Sequence, residues 1–204
     1  MFNILTLNKI SKLGLDKLDG AKYTCADSIE APDAILVRSA SMHEMELDAN
    51  TVAIARAGAG VNNIPIPACS EKGVVVFNTP GANANAVKEL VLCALFLSSR
   101  KVGAAIDWAK TLKGEGDAVG KLVEKGKGAF AGPEILGKTL GVIGLGAIGA
   151  MVAEGAKALG MNIIGFDPFV SEKEGIEIAA DISEIYAKSD YITLHLPLND
   201  ATRG

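Results

Sequence analysis

Three glycines and an acid in the second half of the chain have the spacing of a dinucleotide site. Residues 141–167 read GVIGLGAIGAMVAEGAKALGMNIIGFD, with Gly144, Gly146 and Gly149 after an apolar strand and Asp167 at the end of the next strand. In such a turn the first glycine allows a tight bend, the second lets the backbone approach a pyrophosphate, and the third lets helix and strand pack closely. The free N–H groups at the start of the helix attract the phosphates.

Asp167 determines which cofactor we expect. A carboxylate at this place accepts hydrogen bonds from the adenosine ribose hydroxyls and repels a 2′-phosphate, which favours NAD over NADP. The alternative is a structural strand-to-helix turn, in which Asp167 and Pro168 open an ordinary turn. We favour cofactor binding because the glycines close a strand, open a helix and are followed by the acid.

Two of the four arginines follow apolar strands in the first half of the chain. Arg38 stands in ILVRSAS and Arg56 in AIARAGAGVNN, and ligands gather at the carboxyl ends of parallel strands. A guanidinium group together with the N–H groups of the loop at 58–62 would hold a carboxylate or a phosphate. The alternative is that either arginine pairs with a surface acid. The AGAG run lacks a third glycine, and Pro65 and Pro67 argue against a following helix, so we do not expect a second dinucleotide motif.

The histidines and cysteines predict no metal site. We expect His43 to be a solvated helix residue and His195 to be a packed or cofactor-side residue of the strand YITLHLP, with a catalytic role as the alternative. The three cysteines are widely spaced and lack the paired spacing of a zinc site. Buried thiols in a reducing cytoplasm explain them best.

Five short β-rich runs alternate with candidate helical stretches in the first half. The predicted strands cover residues 2–7, 22–26, 34–38, 52–56 and 74–78, and each has the length of a buried parallel strand. Stretches such as MHEMELDAN are long enough for a turn or two of helix. The pattern predicts a doubly wound α/β sheet that is covered on both faces.

The second half opens with a long predicted helix. It runs from residue 85 to about 112 and suits a bridge between two domains, whereas the glycine- and lysine-rich stretch 113–128 is predicted to be an exposed loop. A second series follows, with helices at 147–159 and 181–188 and strands at 139–144, 162–167 and 191–197. We expect these three strands in the order 3-2-1, which leaves strand 139–144 with an open edge and makes this half labile.

Composition narrows the classes of partner. The chain has 204 residues, of which 49% are hydrophobic, and a formal net charge of −4, so it forms no basic field for nucleic acid. Its longest apolar stretch is well short of the roughly 20 residues that a membrane span needs. The opening MFNILTLNK carries its lysine after the apolar run, unlike a signal peptide. We expect a small-molecule ligand, no membrane association and a cytoplasmic location.

Several motifs, taken in order, resemble those of the D-isomer-specific 2-hydroxyacid dehydrogenases. They are VRSAS, RAGAGVNNI, VFNTPGANANAVKEL, GVIGLGAIG with Asp167, and YITLHLPLNDATRG, and the resemblance covers essentially the whole chain. It implies a flavodoxin-like substrate-binding domain at 1–100, followed by the first half of a Rossmann NAD-binding domain at 101–204. It also implies NAD as cofactor, a small phosphorylated 2-hydroxy acid as substrate, and a homodimer or homotetramer.

The resemblance also assigns residues to the site. Those implied at the substrate are Arg38, Ser39, Arg56, Ala57, Gly58, Ala59, Gly60 and Asn83. Those implied at the cofactor are Thr79, at its nicotinamide end, and Gly144, Gly146, Ala147, Ile148, Gly149, Asp167, His195, Leu196 and Pro197.

The family's catalytic arginine, glutamate and histidine are expected beyond Gly204. The resemblance places all three after the HLPL strand, so we expect this chain to be an N-terminal piece of the enzyme that is inactive alone. Two alternatives stay open. One is a dehydrogenase of another D-2-hydroxy acid, such as glycerate, glyoxylate or lactate, and the other is a non-enzymatic NAD-binding module.

Overall fold

The chain consists of two compact units, each with its own parallel sheet. A computed structural model describes residues 1–200, 202 and 203. The units are Met1–Asn83 and Ala84–Gly204. Ala201 and Gly204, which belong to the last of the family motifs, lie outside the described residues.

The first unit has a five-stranded sheet. Its strands are β1 (Phe2–Leu7), β2 (Tyr23–Ala26), β3 (Ala34–Val37), β4 (Ala53–Arg56) and β5 (Val75–Phe77). They lie in the order β2-β1-β3-β4-β5, and all neighbouring pairs are parallel. This is the strand order of flavodoxin-like folds, and the predicted α/β class of this half is confirmed. The order brings the ends of β1, β3 and β4 next to one another.

Two helices lie in the first unit, α1 (Lys12–Leu15) and α2 (Ile66–Glu71). The prediction that the prolines prevent a helix after the glycine loop was wrong, because Pro67 lies in the first turn of α2, where no N–H group is needed. The helix expected in MHEMELDAN is also wrong. Residues 42–50 are irregular, with turns at 43–44 and 49–50, and His43 lies in the first of these turns. The helical pattern failed there because Met42 and Leu47 turn into the core from an irregular segment.

The second unit has a four-stranded sheet. Its strands are β6 (Thr139–Ile143), β7 (Asn162–Phe166), β8 (Glu177–Ile178) and β9 (Tyr191–Leu194), in the order β8-β7-β6-β9. All three pairs are parallel. This arrangement matches strands 3-2-1-4 of a Rossmann sheet, as the predicted fold class requires.

The predicted open edge at β6 was wrong. The two-residue strand β8 takes the third place in the sheet, so β9 is the fourth strand and pairs with the other side of β6. A strand of two residues has too short a pattern to be seen in a sequence. The predicted strand at 191–197 is correspondingly shorter, because the chain leaves the sheet after Leu194.

Five α-helices lie in the described part of the second unit, three before the first strand of its sheet and two between its strands. They are α3 (Ala84–Arg100), α4 (Val102–Thr111), α5 (Val119–Gly126), α6 (Ala147–Ala158) and α7 (Ile182–Lys188). The single helix predicted over 85–112 is two helices, because Lys101 has a left-handed backbone with φ of 48°. The stretch 113–128 is not a loop. It holds α5, whose Val119, Leu122 and Val123 recur with helical spacing and are half-buried.

The division between the units differs from the predicted boundary at residue 100 by one helix. α3 belongs with the second unit because Leu95 is buried in the same core cluster as Val142 and Val152. The core of the first unit is separate and forms around Ile35, Val37 and other side chains of its own strands.

Candidate functional site

The turn between β6 and α6 requires glycine at its first position. Gly144 follows the last residue of β6 with φ of 91°, a conformation that side chains rarely adopt. A Cβ atom at this position would lie 2.5 Å from the carbonyl oxygen of His195. Gly149 is required for a second reason, since a Cβ there would lie 1.9 Å from the carbonyl oxygen of Gly144. The fold alone therefore explains two of the three glycines.

Gly146 has no such structural reason. It is the N-cap of α6 with φ of −63° and extended ψ, and a Cβ built on it would meet no described atom within 4 Å. No side chain caps this helix end. The N–H groups of Ala147 and Ile148 belong to the first turn, where an α-helix supplies no carbonyl partner. The open space, the free amides and the positive end of a 12-residue helix fit the pyrophosphate of a dinucleotide.

Asp167 lies directly beside this glycine turn. It follows the last residue of β7, and its Oδ2 accepts a hydrogen bond from the N–H of Leu145 at 2.8 Å. Its Oδ1 accepts one from the N–H of Phe169 at 2.9 Å. The bond from Phe169 belongs to the ordinary turn that Asp167 and Pro168 open in the structural alternative. Each carboxylate oxygen still has acceptor capacity for a ribose hydroxyl, so the turn and the cofactor role are compatible.

His195, the first residue after β9, borders the same turn. Its N–H donates to the carbonyl of Ile143 at 2.8 Å, and its Nε2 lies 3.0 Å from Oγ1 of Thr193. Burial lowers the pKa of the His195 imidazole below its ordinary value, which favours a neutral ring. Leu196 is half-buried and Pro197 is exposed directly after it. These residues line the turn by packing and backbone contacts.

The two arginines of the first unit differ in the hydrogen bonds of their guanidinium groups. Arg38 is exposed after β3, and its guanidinium makes no hydrogen bond or ion pair with any described residue. Arg56, the last residue of β4, donates from Nε to the carbonyl of Arg38 at 2.9 Å and from Nη1 to the carbonyl of Gly60. Neither arginine pairs with an acid in the described part of the chain. Arg56 shapes its own loop, whereas the charge of Arg38 is free for a ligand.

The glycine-rich loop after β4 presents free backbone donors. The N–H groups of Ala57 and Gly58 bond to the carbonyls of Val37 and Arg56. Those of the next four residues, 59–62, make no hydrogen bond with described residues. A Cβ on Gly60 would lie 2.9 Å from Nη1 of Arg56, so a larger residue there would make the end of the arginine side chain shift. Successive free amides in a turn are able to bind an anion.

The end of β5 fixes this loop in place. The N–H of Thr79 donates to the carbonyl of Gly58 at 3.0 Å, and Nδ2 of Asn78 donates to the carbonyl of Ala59 at 2.6 Å. Oγ1 of Thr79 is 3.5 Å from the carbonyl of Arg56. Asn83 is exposed at the end of the unit.

Sequence reasoning missed three carboxamides that support these loops. They are Asn8 after β1, Asn63 after the glycine-rich loop, and Asn78 after β5, and each bonds to the backbone of a ligand-facing loop. A signal was available for two of them. Asn8 and Asn78 directly follow predicted strands or end them, at the edge of the sheet where ligands bind.

Comparison with known proteins identifies the family. Residues 92–204 match the family model described as D-isomer specific 2-hydroxyacid dehydrogenase, NAD binding domain. The chain belongs to the D-isomer specific 2-hydroxyacid dehydrogenase family. Its second unit is the NAD-binding part, which confirms the prediction of NAD as the cofactor.

Individual relatives are only partly covered by this chain. It is 40% identical over 189 residues to D-3-phosphoglycerate dehydrogenase of Methanocaldococcus jannaschii, a match that covers 89% of this chain and 34% of the relative. It is 40% identical over 174 residues to hydroxypyruvate reductase of Thermotoga maritima, covering 84% and 53%. The crystal structure of NAD+-bound 3-phosphoglycerate dehydrogenase of Entamoeba histolytica matches with a TM-score of 0.75 at 27% identity, covering 100% and 65%. The chain thus spans a third to a half of these curated relatives.

Two further properties hold for the described part of the chain. No helix there is long and apolar enough to cross a membrane. No group of three or more His, Cys, Asp or Glu side chains among the same residues is arranged to hold a metal ion.

Proposed function

We propose that this chain carries the substrate-recognition loops and the NAD site of a dehydrogenase that oxidises 3-phosphoglycerate to 3-phosphohydroxypyruvate. That reaction is the first step of phosphorylated L-serine biosynthesis. NAD, when bound, accepts the hydride that leaves C2 of the hydroxy acid. In this proposal the residues of this chain bind and orient the hydroxy acid and NAD.

The observation that carries the substrate assignment is the pair of donor sets in the first unit. The free guanidinium of Arg38 follows β3, and the free amides of residues 59–62 follow β4, the neighbouring strand. A phosphorylated 2-hydroxy acid has two anionic groups, a carboxylate and a phosphate. Two donor sets at adjacent strand ends suit such a ligand better than a monoanion such as lactate.

The relatives support the same assignment. D-3-phosphoglycerate dehydrogenases are among the similar proteins, at 40% identity for the archaeal one. The hydroxypyruvate reductase of Thermotoga maritima is equally identical over a slightly shorter match and acts on an unphosphorylated compound. Sequence identity alone therefore does not decide between the two substrates. The two donor sets of the first unit are what supports the phosphorylated one.

In the second unit we assign the pyrophosphate to the amides of Ala147 and Ile148 beside Gly146, and the adenosine ribose to Asp167. Thr79 and Asn83 of the first unit keep the roles that the resemblance implies, at the nicotinamide end and at the substrate. Assembly as a homodimer or homotetramer and a cytoplasmic location remain predictions.

Calorimetric titration of the chain with 3-phosphoglycerate, D-glycerate and D-lactate tests the substrate. We expect 3-phosphoglycerate to bind about 10 to 100 times more tightly than D-glycerate, since a charge-assisted contact contributes roughly 1.5–3 kcal/mol. Arg38→Gln should remove most of this difference. Arg100→Gln is the matched control, because Arg100 is exposed at the end of α3, far along the chain from these loops.

Each other outcome contradicts part of the proposal. Equal affinity for 3-phosphoglycerate and D-glycerate would replace the phosphorylated substrate by an unphosphorylated 2-hydroxy acid. Binding of NAD with no binding of any hydroxy acid would favour the NAD-binding module. An unchanged affinity in Arg38→Gln would remove Arg38 from the substrate site.

A further inference from the structure

The short segment Arg38–Ala40, which we call the 38–40 turn, has its backbone held by side chains from other parts of the first unit. The N–H groups of Ser39 and Ala40 both donate to Oδ1 of Asn8, the former at 2.9 Å. The carbonyl of Ala40 accepts from Nδ2 of Asn63 at 2.7 Å. The carbonyl of Arg38 accepts from Nε of Arg56 at 2.9 Å. The turn is therefore fixed from both sides.

Asn8 occupies a position that depends on its residue type. β1 and β3 pair in parallel up to Leu7 and Val37, so Asn8 is the first residue beyond the ladder. Its backbone is left-handed, with φ of 67°, a conformation that asparagine tolerates better than most residues. The chain leaves the sheet there, and the side-chain oxygen takes over as the acceptor for the next two N–H groups of the neighbouring segment.

This bonding decides which groups of the turn can meet a ligand. Because one oxygen of Asn8 already occupies the N–H groups of Ser39 and Ala40, those amides cannot form an anion-binding nest. The side chains of Arg38 and Ser39 make no hydrogen bond with described residues. They are the donors that the turn presents outward.

We propose that Asn8 is a positioning residue for the anionic substrate: it fixes the 38–40 turn so that the side chains of Arg38 and Ser39, and not the backbone, contact the ligand. This inference rests on the proposed function. Asn63 supports the same turn from its carbonyl side, and Asn8 is the member of the pair that contacts the donors next to Arg38.

Asn8→Gly is the decisive variant, because glycine keeps the left-handed backbone and removes only the acceptor. In hydrogen exchange followed by NMR, we expect the Ser39 and Ala40 amides to lose protection while those of β3 and β4 keep it. Affinity for 3-phosphoglycerate should fall about tenfold, because the net free energy of one hydrogen bond corresponds to about a tenfold change in affinity. Affinity for NAD, which binds the second unit, should not change.

Two further variants separate positioning from folding. Asn8→Asp keeps acceptor oxygens at the same reach, so protection of the Ser39 and Ala40 amides should return. Asn50→Gly makes the same replacement in an exposed turn before β4, at the opposite edge of the sheet. It should change neither the two amides nor the affinity for 3-phosphoglycerate.

The outcomes distinguish this inference from the proposed function. If the unaltered chain binds 3-phosphoglycerate and Asn8→Gly binds it equally well, or keeps both amides protected, the role of Asn8 is refuted and the proposed function stands. If the unaltered chain binds no 2-hydroxy acid at all, the proposed function fails, whatever the amides do.

Discussion

At the scale of single residues, the candidate site is defined by groups that the fold leaves unused. Arg38 and Arg56 follow neighbouring strands and have the same chemistry, yet two donors of Arg56 are bonded to loop carbonyls and Arg38 is free. Gly146 is likewise the one glycine of its turn with open space around its α-carbon. A side chain or a space without an internal partner is available for a ligand.

Asp167→Asn tests the proposal that Asp167 selects the cofactor. Asparagine removes the negative charge that repels a 2′-phosphate and keeps one acceptor oxygen, so one of the two backbone bonds to this side chain, from Leu145 or from Phe169, is lost. We expect NAD to bind more weakly and NADP more tightly than to the unaltered chain. Titration calorimetry with both cofactors measures the ratio. An unchanged preference for NAD would remove Asp167 from the ribose site.

The residue types of the site could be predicted from the sequence, but the hydrogen bonds that their side chains form within the fold could not. The glycine spacing and the acid at 167 indicated a dinucleotide because each has a separate mechanical role. That Arg56 bonds to the carbonyls of Arg38 and Gly60 depends on how two loops fold beside each other. Backbone carbonyls occur at every residue, so no sequence pattern marks the ones that accept a side chain. Asn63 escaped notice for the same reason, whereas Asn8 was missed although it directly follows a predicted strand.

At the scale of elements, the close approach of α6 to the turn before it makes Gly149 sensitive to substitution. Gly149→Ala places a Cβ 1.9 Å from the carbonyl oxygen of Gly144, so the helix or the turn must move. We expect the second unit to lose about 1–3 kcal/mol of unfolding free energy, as for overpacked cores. Chemical denaturation measures the loss for the whole unit, and hydrogen exchange of the β6 amides measures it at the strand before the turn.

Gly120→Ala is the matched control for that substitution. Gly120 lies in α5, and a Cβ there would meet nothing within 4 Å. Replacing glycine by alanine inside a helix without steric cost should stabilise it by about 0.5–1 kcal/mol. If both variants changed stability in the same direction, the close contact at Gly149 would not explain its residue type.

Most elements could be predicted because their signals are long and local. Each predicted strand of the first unit agrees with β1 to β5 within one residue at either end, since buried parallel strands form continuous apolar runs. The elements that were predicted wrongly have short or conflicting sequence patterns. β8 has only two residues, the break at Lys101 is a single backbone angle, and glycines and lysines masked the apolar face of α5.

At the scale of the whole molecule, the two units have separate hydrophobic cores. One cluster surrounds Ile35 and Ile54 in the first unit, and others surround Leu140 and Ile185 in the second. The lability that we expected at β6 loses its physical ground, because β9 pairs with that strand. Among the described residues, β9 and β8 are instead the two outer strands of this sheet.

The separate cores, together with the proposed pyrophosphate and ribose contacts in the second unit and the proposed substrate contacts in the first, predict separate responses to ligands. NAD at about 100 times its dissociation constant should raise the opening free energy of the second unit by about 2.7 kcal/mol, and 3-phosphoglycerate should act on the first unit. Hydrogen exchange of peptides from β3 and β4, compared with peptides from β6 and β7, measures each response. Equal protection of all four strands by NAD alone would contradict the proposal that the second unit supplies most of the contacts to NAD.

The most direct test of the account is the affinity of Gly146→Ala for NAD. The backbone at this position is one that alanine also adopts, and the added Cβ meets no described atom, so stability should change by no more than about 0.5 kcal/mol. The methyl group would occupy the space assigned to the pyrophosphate, and we expect NAD to bind at least about tenfold more weakly, a cost of about 1.4 kcal/mol. Titration calorimetry alongside thermal unfolding gives both quantities on one sample. Unchanged NAD affinity in a fully folded Gly146→Ala chain would contradict the claim that this turn is the pyrophosphate site.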